Sequence, residues 1–263
     1  MDMLKRNLAP ITDAAWAEIE AEARRQLTPR LSARRFADVD GPFGWEFAAV
    51  STGRLKTSKQ KNVITGIHQV LPLIELRVPF TVSQDEMDAI GRGVKDIDFG
   101  TLRDAAIAYA DYEEKSVFFG NKAAGITGIY EVIEGAPVPL KLEAANVLEA
   151  VTEAKLRLIL AGVEGEANLV VSDRVWKYLA RRTCGTSLEN MLEKEIGGKV
   201  IRSEQCKGAL LVSARGGDIE LTIGQDISIG YAGTGEKGIE LCFAGSFTSR
   251  VLSPEAFVAL EIK

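Results

Sequence analysis

"STGRLKTSKQKNVITGIHQ", residues 51–69, is polar, basic and poor in large apolar side chains, and it stands between runs that read as extended chain. A stretch of this composition cannot build a core of its own, so it is expected to project from the body as a long hairpin or arm. On its C-terminal side, in "IELRVPFTV", Ile74, Leu76, Val78, Phe80 and Val82 alternate with Glu75, Arg77, Pro79 and Thr81. That is the period of a half-buried strand, and Pro79, which has no N–H to give a ladder, favours an edge or a bulge. On the N-terminal side, "RRFADVDGPFGWEFAAV" (34–50) places the turn signals Gly41-Pro42 and Gly44-Trp45 before the extended run from Trp45 to about Val82. Arms of this kind present an open strand edge, a ready template for pairing with a neighbour, so assembly is the first functional expectation.

Helices frame this extended region. Thr12 reads as an N-cap with Asp13 in the first turn, and Trp16, Ile19, Ala23 and Leu27 recur at helical spacing. Thr28-Pro29 ends or restarts that helix; Leu31 continues its apolar face while Arg30, Arg34 and Arg35 stay solvated or paired. Ser83 and Glu86 have capping-box spacing ahead of a short helix that stops at Gly91 and Gly93. Leu102, Ala105, Ala106, Tyr109 and Tyr112 mark a longer amphipathic helix ending near Gly120, and Val147, Leu148, Val151 and Leu158 another from about Glu143 to Leu160. A short buried strand, a helix capped by Ser172 and a helix stopping at Gly197-Gly198 follow, and the remainder reads as strand and turn. Helices and strands alternate without a regular βαβ rhythm, so the fold class is α+β.

With 263 residues and 46% hydrophobic residues the chain can bury a large core. A net charge of −5 argues against nucleic acid as the main partner. No apolar run has the length of a signal peptide or a membrane span, which sets a cytoplasmic expectation with no membrane partner. Cys184, Cys206 and Cys242 form no CxxC pair, so they read as reduced thiols and neither a disulfide framework nor a zinc site is expected.

His68 is the single histidine, and any hydrolase that needs a histidine base must use it. It lies in the polar arm, away from apolar segments that could exclude water, and no G-x-S-x-G elbow is present. "GRG" (91–93), "RGGD" (215–218) and "GTGEKG" (233–238) lack nucleotide-loop spacing and read as turns. The carboxylates Glu18, Glu20 and Glu22, and Asp111, Glu113 and Glu114, read as solvated helix faces. The chain is therefore expected to have no catalytic residues, metal or cofactor. The competing readings are a soluble hydrolase or protease and a secreted bacteriocin-like protein.

In "LKRNLAPIT" (4–12), Trp16-x-x-Ile19, "RRFADVDGPFGWEFAAV", "LPLIELRVPFTV", "RGGDIEL", "LTIGQDISIGY" and the closing "SPEAFVAL", the sequence resembles the encapsulin nanocompartment shell proteins, also called the linocin or bacteriocin M18 family. The resemblance runs from one end of the chain to the other. It implies the tailed-phage major capsid fold of Hong Kong 97 type, assembled as an icosahedral homo-oligomer. By position, 1–49 would be an N-terminal helical segment opening the peripheral (P) domain, 50–70 the extended (E) loop and 71–135 the P-domain with its spine helix at 101–119. Residues 136–225 would form the axial (A) domain, and 226–263 the return to the P-domain. It also implies that the shell encloses cargo enzymes, such as ferritin-like proteins, peroxidases or other iron and redox proteins, through the cargo's C-terminal targeting peptide. The positions matching the peptide seat are Leu27, Leu31, Arg34, Asp38, Val39, Ile229 and Tyr231. The loop Thr183, Cys184, Gly185, Thr186 and Ser187 would lie at a five-fold pore for small solutes.

Overall fold

The computed structural model describes residues 3–183 and 186–263. Thr12 accepts a hydrogen bond from the Ala15 N–H (3.3 Å) and starts helix α1 (Asp13–Leu27), whose buried stripe is Ala15, Trp16, Ile19, Ala23 and Leu27. The chain then forms a single 3-10 turn at Ala33–Arg35 and the short strand β1 (Asp38–Asp40). Gly41, at φ +115°, turns the chain where a side chain could not follow: an added Cβ would sit 2.3 Å from the Ile223 carbonyl oxygen.

The arm is a two-stranded ribbon. Among the described residues β2 (Ala49–Gln60) and β3 (Val63–Pro72) pair only with each other, Ala49 opposite Pro72 and Gln60 opposite Val63, and every residue from 53 to 70 is exposed. β4 (Ile74–Val82) continues into the body with the expected alternation, and it pairs on one side alone, the edge position that Pro79 requires. Helix α2 (Gln84–Gly91) departs from expectation at its start, because no capping box forms. The Ser83 hydroxyl makes no cap bond, and the Glu86 carboxylate accepts from the Asp98 N–H instead (3.3 Å). Helix α3 (Gly100–Phe119) then crosses the body and ends at Gly120, with Leu102, Ala105, Ala106, Tyr109 and Val117 buried.

The second half builds a separate layer from α4 (Ile129–Val132), β5 (Val138–Leu140), α5 (Ala144–Leu160), β6 (Ala167–Val171) and α6 (Asp173–Leu179). It continues through the small hairpin β7 (Arg182–Thr183) and β8 (Thr186–Ser187), then α7 (Leu188–Ile196), β9 (Gly197–Arg202) and β10 (Ala209–Ser213). Ser172 holds the N-cap position of α6, yet its buried hydroxyl has no partner among the described residues. The chain closes with β11 (Ile219–Ile223), β12 (Ser228–Gly235), β13 (Gly238–Val251) and β14 (Phe257–Ile262).

Two five-stranded sheets result. The first has the order β1-β11-β13-β12, with β4 added to β13; the second has the order β5-β14-β10-β6-β9. Ile219–Ile223 pairs in the first sheet, whereas the C-terminal Phe257–Ile262 leaves it to pair antiparallel with β10 and parallel with β5. The second sheet is covered on both faces, which is why β10 reads as an unbroken apolar run. Ala209 and Leu211 pack with α5 and α7, while Leu210 and Val212 pack with Phe118, Leu221 and Phe257 between the two sheets.

Candidate functional site

The main concavity of interest lies where the C-terminal half of α1 meets the edge strand β12. The Thr28 N–H still bonds the Arg24 carbonyl and the Leu31 N–H bonds that of Leu27 (3.1 Å), so Leu27 and Leu31 stand one turn apart on the same face. They form one wall of a cleft of about 390 Å³, with Ile227, Ser228 and Ile229 opposite and Phe243 beneath. Leu27, Leu31 and Ile229 are only 8%, 7% and 5% exposed, so the apolar floor is already packed before anything enters. At the rim Arg6 pairs with Glu20 (2.5 Å) and stacks over Trp16, while Arg24 is exposed. An extended segment carrying a few aliphatic side chains fits such a preformed, partly charged groove.

Arg34 lines the cleft as part of a pin. Its Nε and Nη2 donate to the two oxygens of Glu113 (2.7 and 2.9 Å), and its Nη1 donates to Asp226 Oδ1 (2.7 Å). Burial alone would lower the guanidinium pKa, but the bonds to Glu113 and Asp226 outweigh it and raise the pKa above its ordinary value. Glu113 is fully buried, and the next residue, Glu114, is 2% exposed. Glu114 Oε1 accepts from the Ala33 N–H (2.8 Å), and its other oxygen accepts from the hydroxyls of Ser32 and Ser203. Burial, aided by the Glu113 charge and opposed by these bonds, pushes the Glu114 carboxyl up to about 7. Two adjacent carboxylates of α3 thus clamp residues 32–34, so the reading of Glu113 and Glu114 as a solvated face is corrected. Glu22, also buried, is held below its ordinary range: burial acts to raise it, and Arg103 (2.6 Å), Gln26 and Arg25 overcome that.

The structure brings Leu27, Leu31, Arg34 and Ile229 to one cleft and leaves Asp38, Val39 and Tyr231 outside it. Asp38 and Val39 pair with Glu220 and Leu221 at the opposite edge of the first sheet, and Asp38 Oδ2 accepts from the Gly217 N–H (2.5 Å). Tyr231 lines a neighbouring cleft with Leu4, Trp45 and Arg77; its N–H donates to the Leu4 carbonyl (2.8 Å). Leu4, Arg6, Glu20, Arg24, Asp226 and Phe243 line the main cleft and escaped the sequence reading. The spacing of 20, 24, 27, 28 and 31 along the helix and its following turn was the available signal. Thr183 and Thr186 pair in the β7–β8 hairpin, Ser187 caps α7 by accepting from the Asn190 N–H (3.2 Å), and Cys184 and Gly185 lie outside the described residues.

The histidine and the thiol that a hydrolase reading would draw on stand in unlike surroundings. His68 is exposed on the arm opposite Leu55. Cys206 is buried, bonded to Tyr130 and Val170, and burial pushes its thiol up to about 12, which keeps it protonated at neutral pH. Among the described residues no three His, Cys, Asp or Glu side chains are grouped to hold a metal ion.

Two sheets sharing a core, a long helix packed between α1 and the first of them, and a protruding two-stranded arm define a capsid-type shell subunit. The same fold occurs in a virus-like particle from Pyrococcus furiosus, with a TM-score of 0.65 at 16% identity over 93% of this chain and 98% of that one. The capsid of Myoviridae phage XM1 gives a TM-score of 0.53 at 12% identity, over 86% of this chain and 90% of the other. At the sequence level, the type 1 encapsulin shell protein of Rhodococcus erythropolis is 38% identical over 263 residues, 99% of this chain and 100% of the relative. The Linocin_M18 family model, described as an encapsulating protein for peroxidase, matches residues 1–248. The chain belongs to this family, and it is a self-assembling shell protein with the tailed-phage capsid fold.

Proposed function

We propose that the shell is icosahedral, that it takes up guest enzymes of the iron and redox class through a C-terminal peptide on the guest, and that it performs no catalysis of its own. The observation that carries the guest-binding part is the cleft between α1 and β12, whose apolar surface is given by Leu27, Leu31 and Ile229 over a buried Phe243. A guest peptide would lay aliphatic side chains on that surface. Arg34, already bonded to Glu113 and Asp226, would hold the wall in place rather than reach for the guest's charged ends. Residues 50–70 would serve as the E-loop between neighbours, α3 as the spine of the P-domain, and the β7–β8 hairpin would border the five-fold passage for small solutes. The cytoplasm is the compartment in which such a shell would meet its guests.

Thr28 is exposed on the rim of the cleft, so Thr28→Trp plugs the seat without disturbing the core. Shells of this variant, purified from the native cell and compared by mass spectrometry with wild type, should be intact and nearly empty. Leu31→Asp, which places a charge in the same seat, should match it. Equal guest loading in intact shells of both variants would overturn the site.

A further inference from the structure

The sheet edge that borders the guest cleft is already taken at one point by the chain's own N-terminal segment. Among the described strands β12 pairs with β13 alone, so its other edge is open. In an antiparallel ladder successive residues turn their backbone N–H and C=O to alternate sides. The Tyr231 N–H donates to the Leu4 carbonyl (2.8 Å), away from β13, and the register of β12 is unbroken from Ser228 to Tyr231. Ile229 therefore turns its N–H and C=O to the same open edge, while Gly230 turns its own to β13. Ile229 also lines the cleft, so an extended peptide lying there can pair with it as an added strand. The next bond of such a strand falls on Tyr231, and Leu4 holds it.

The segment that reaches this edge is held lightly. Leu4 lies against Gly230, where an added Cβ would come within 3.1 Å of the Leu4 carbonyl oxygen. The turn Arg6–Leu8 buries no residue, and Met3 and Leu8 are 45% and 64% exposed. Lys5 stands at φ +48°, in the left-handed region that a lysine rarely enters. Beyond it Arg6 fastens the segment to α1 through Glu20 and the face of the Trp16 ring, at the solvent-facing rim of the cleft. Leu4 presents what the cleft would accept from a guest, an aliphatic side chain among its walls and a backbone carbonyl to β12.

We propose that residues 3–9 are a built-in competitor for the guest peptide: in the empty shell they hold the Tyr231 end of the seat, and a guest strand paired with β12 displaces them. This rests on the guest-binding reading of the cleft and adds its regulation. Only a peptide that gains more from the cleft than Leu4 and Arg6 do is retained, so the segment acts as a selectivity filter as well as a cover.

Hydrogen exchange resolved to single amides by mass spectrometry tests this on intact shells, empty ones made in a host that lacks the guests and loaded ones purified from the native cell. In empty shells the Leu8 and Ala9 amides bond the Lys5 and Arg6 carbonyls (3.0 and 3.1 Å). In loaded shells a second isotope population should appear in which these two amides exchange at least about threefold faster and Ile229 at least about tenfold slower, with Gly230 as the unchanged reference. Lys5→Pro, outside the guest cleft, forbids φ +48° and frees the segment without touching the apolar seat. Empty Lys5→Pro shells should exchange Tyr231 at least about tenfold faster than empty wild type, and loading should restore its protection. Protection of Ile229 on loading with Leu8 and Ala9 unmoved would place guest and segment side by side; that result, or Tyr231 unmoved in Lys5→Pro shells, overturns the competition and leaves the seat standing. Ile229 unmoved by loading would overturn the seat itself, and the competition with it.

Discussion

Replacing Glu114 by Gln isolates the consequence of burying an ionisable group at the junction of α1, α3 and the second sheet. The carboxyl is raised from 4.5 to about 7, chiefly by burial. At about 1.4 kcal/mol per pH unit, this corresponds to about 3 kcal/mol. Between these values the folded chain holds the proton more tightly than the unfolded chain, so folding stability falls as pH rises. The contribution is fully present below 4.5 and lost above about 7. Glutamine cannot ionise, but its amide oxygen can still accept from the Ala33 N–H and its NH₂ can donate to Ser32. Guanidinium unfolding followed by tryptophan fluorescence should find Glu114→Gln close to wild type at pH 4 and more stable by up to about 3 kcal/mol at pH 8. Subunit dissociation contributes to both proteins alike, so the comparison is of differences. Parallel pH profiles for the two proteins, or a variant that loses ground as pH rises, would refute the reasoning.

Other perturbations follow from the same geometry. Arg34→Met leaves Glu113 buried without its partner and should cost about 3–5 kcal/mol, seen as a lower denaturation midpoint. Adding Glu113→Leu should recover most of that loss, because the isolated charge is removed. Cys206, buried and shifted to about 12, should resist alkylation at pH 8 in the folded shell and react after denaturation, as read by peptide mass spectrometry.

Local chemistry was legible where one segment decides the outcome. The Thr12 cap and the α1 stripe stand where their spacing put them, as does the alternation of β4. The arm was legible because its composition denies it a core, and its 53–70 stretch is exposed throughout. What escaped depends on partners far along the chain. Glu113 and Glu114 look like surface charge until the segment 32–34 folds over them with Arg34, Ser32 and the Ala33 N–H. Val39 and Asp38 read as part of the groove, yet parallel pairing with β11, some 180 residues later, draws them to the other edge of the sheet. The Ser83–Glu86 spacing predicts a cap, and the Asp98 N–H takes Glu86 instead. Likewise "SPEAFVAL" reveals a strand but not that it crosses to the second sheet.

The central claim is that this chain exists as a closed shell rather than as a free subunit. Multi-angle light scattering on the purified protein tests it most directly. A single megadalton particle is the predicted result, and a species at the 28.5 kDa of one chain would contradict the account.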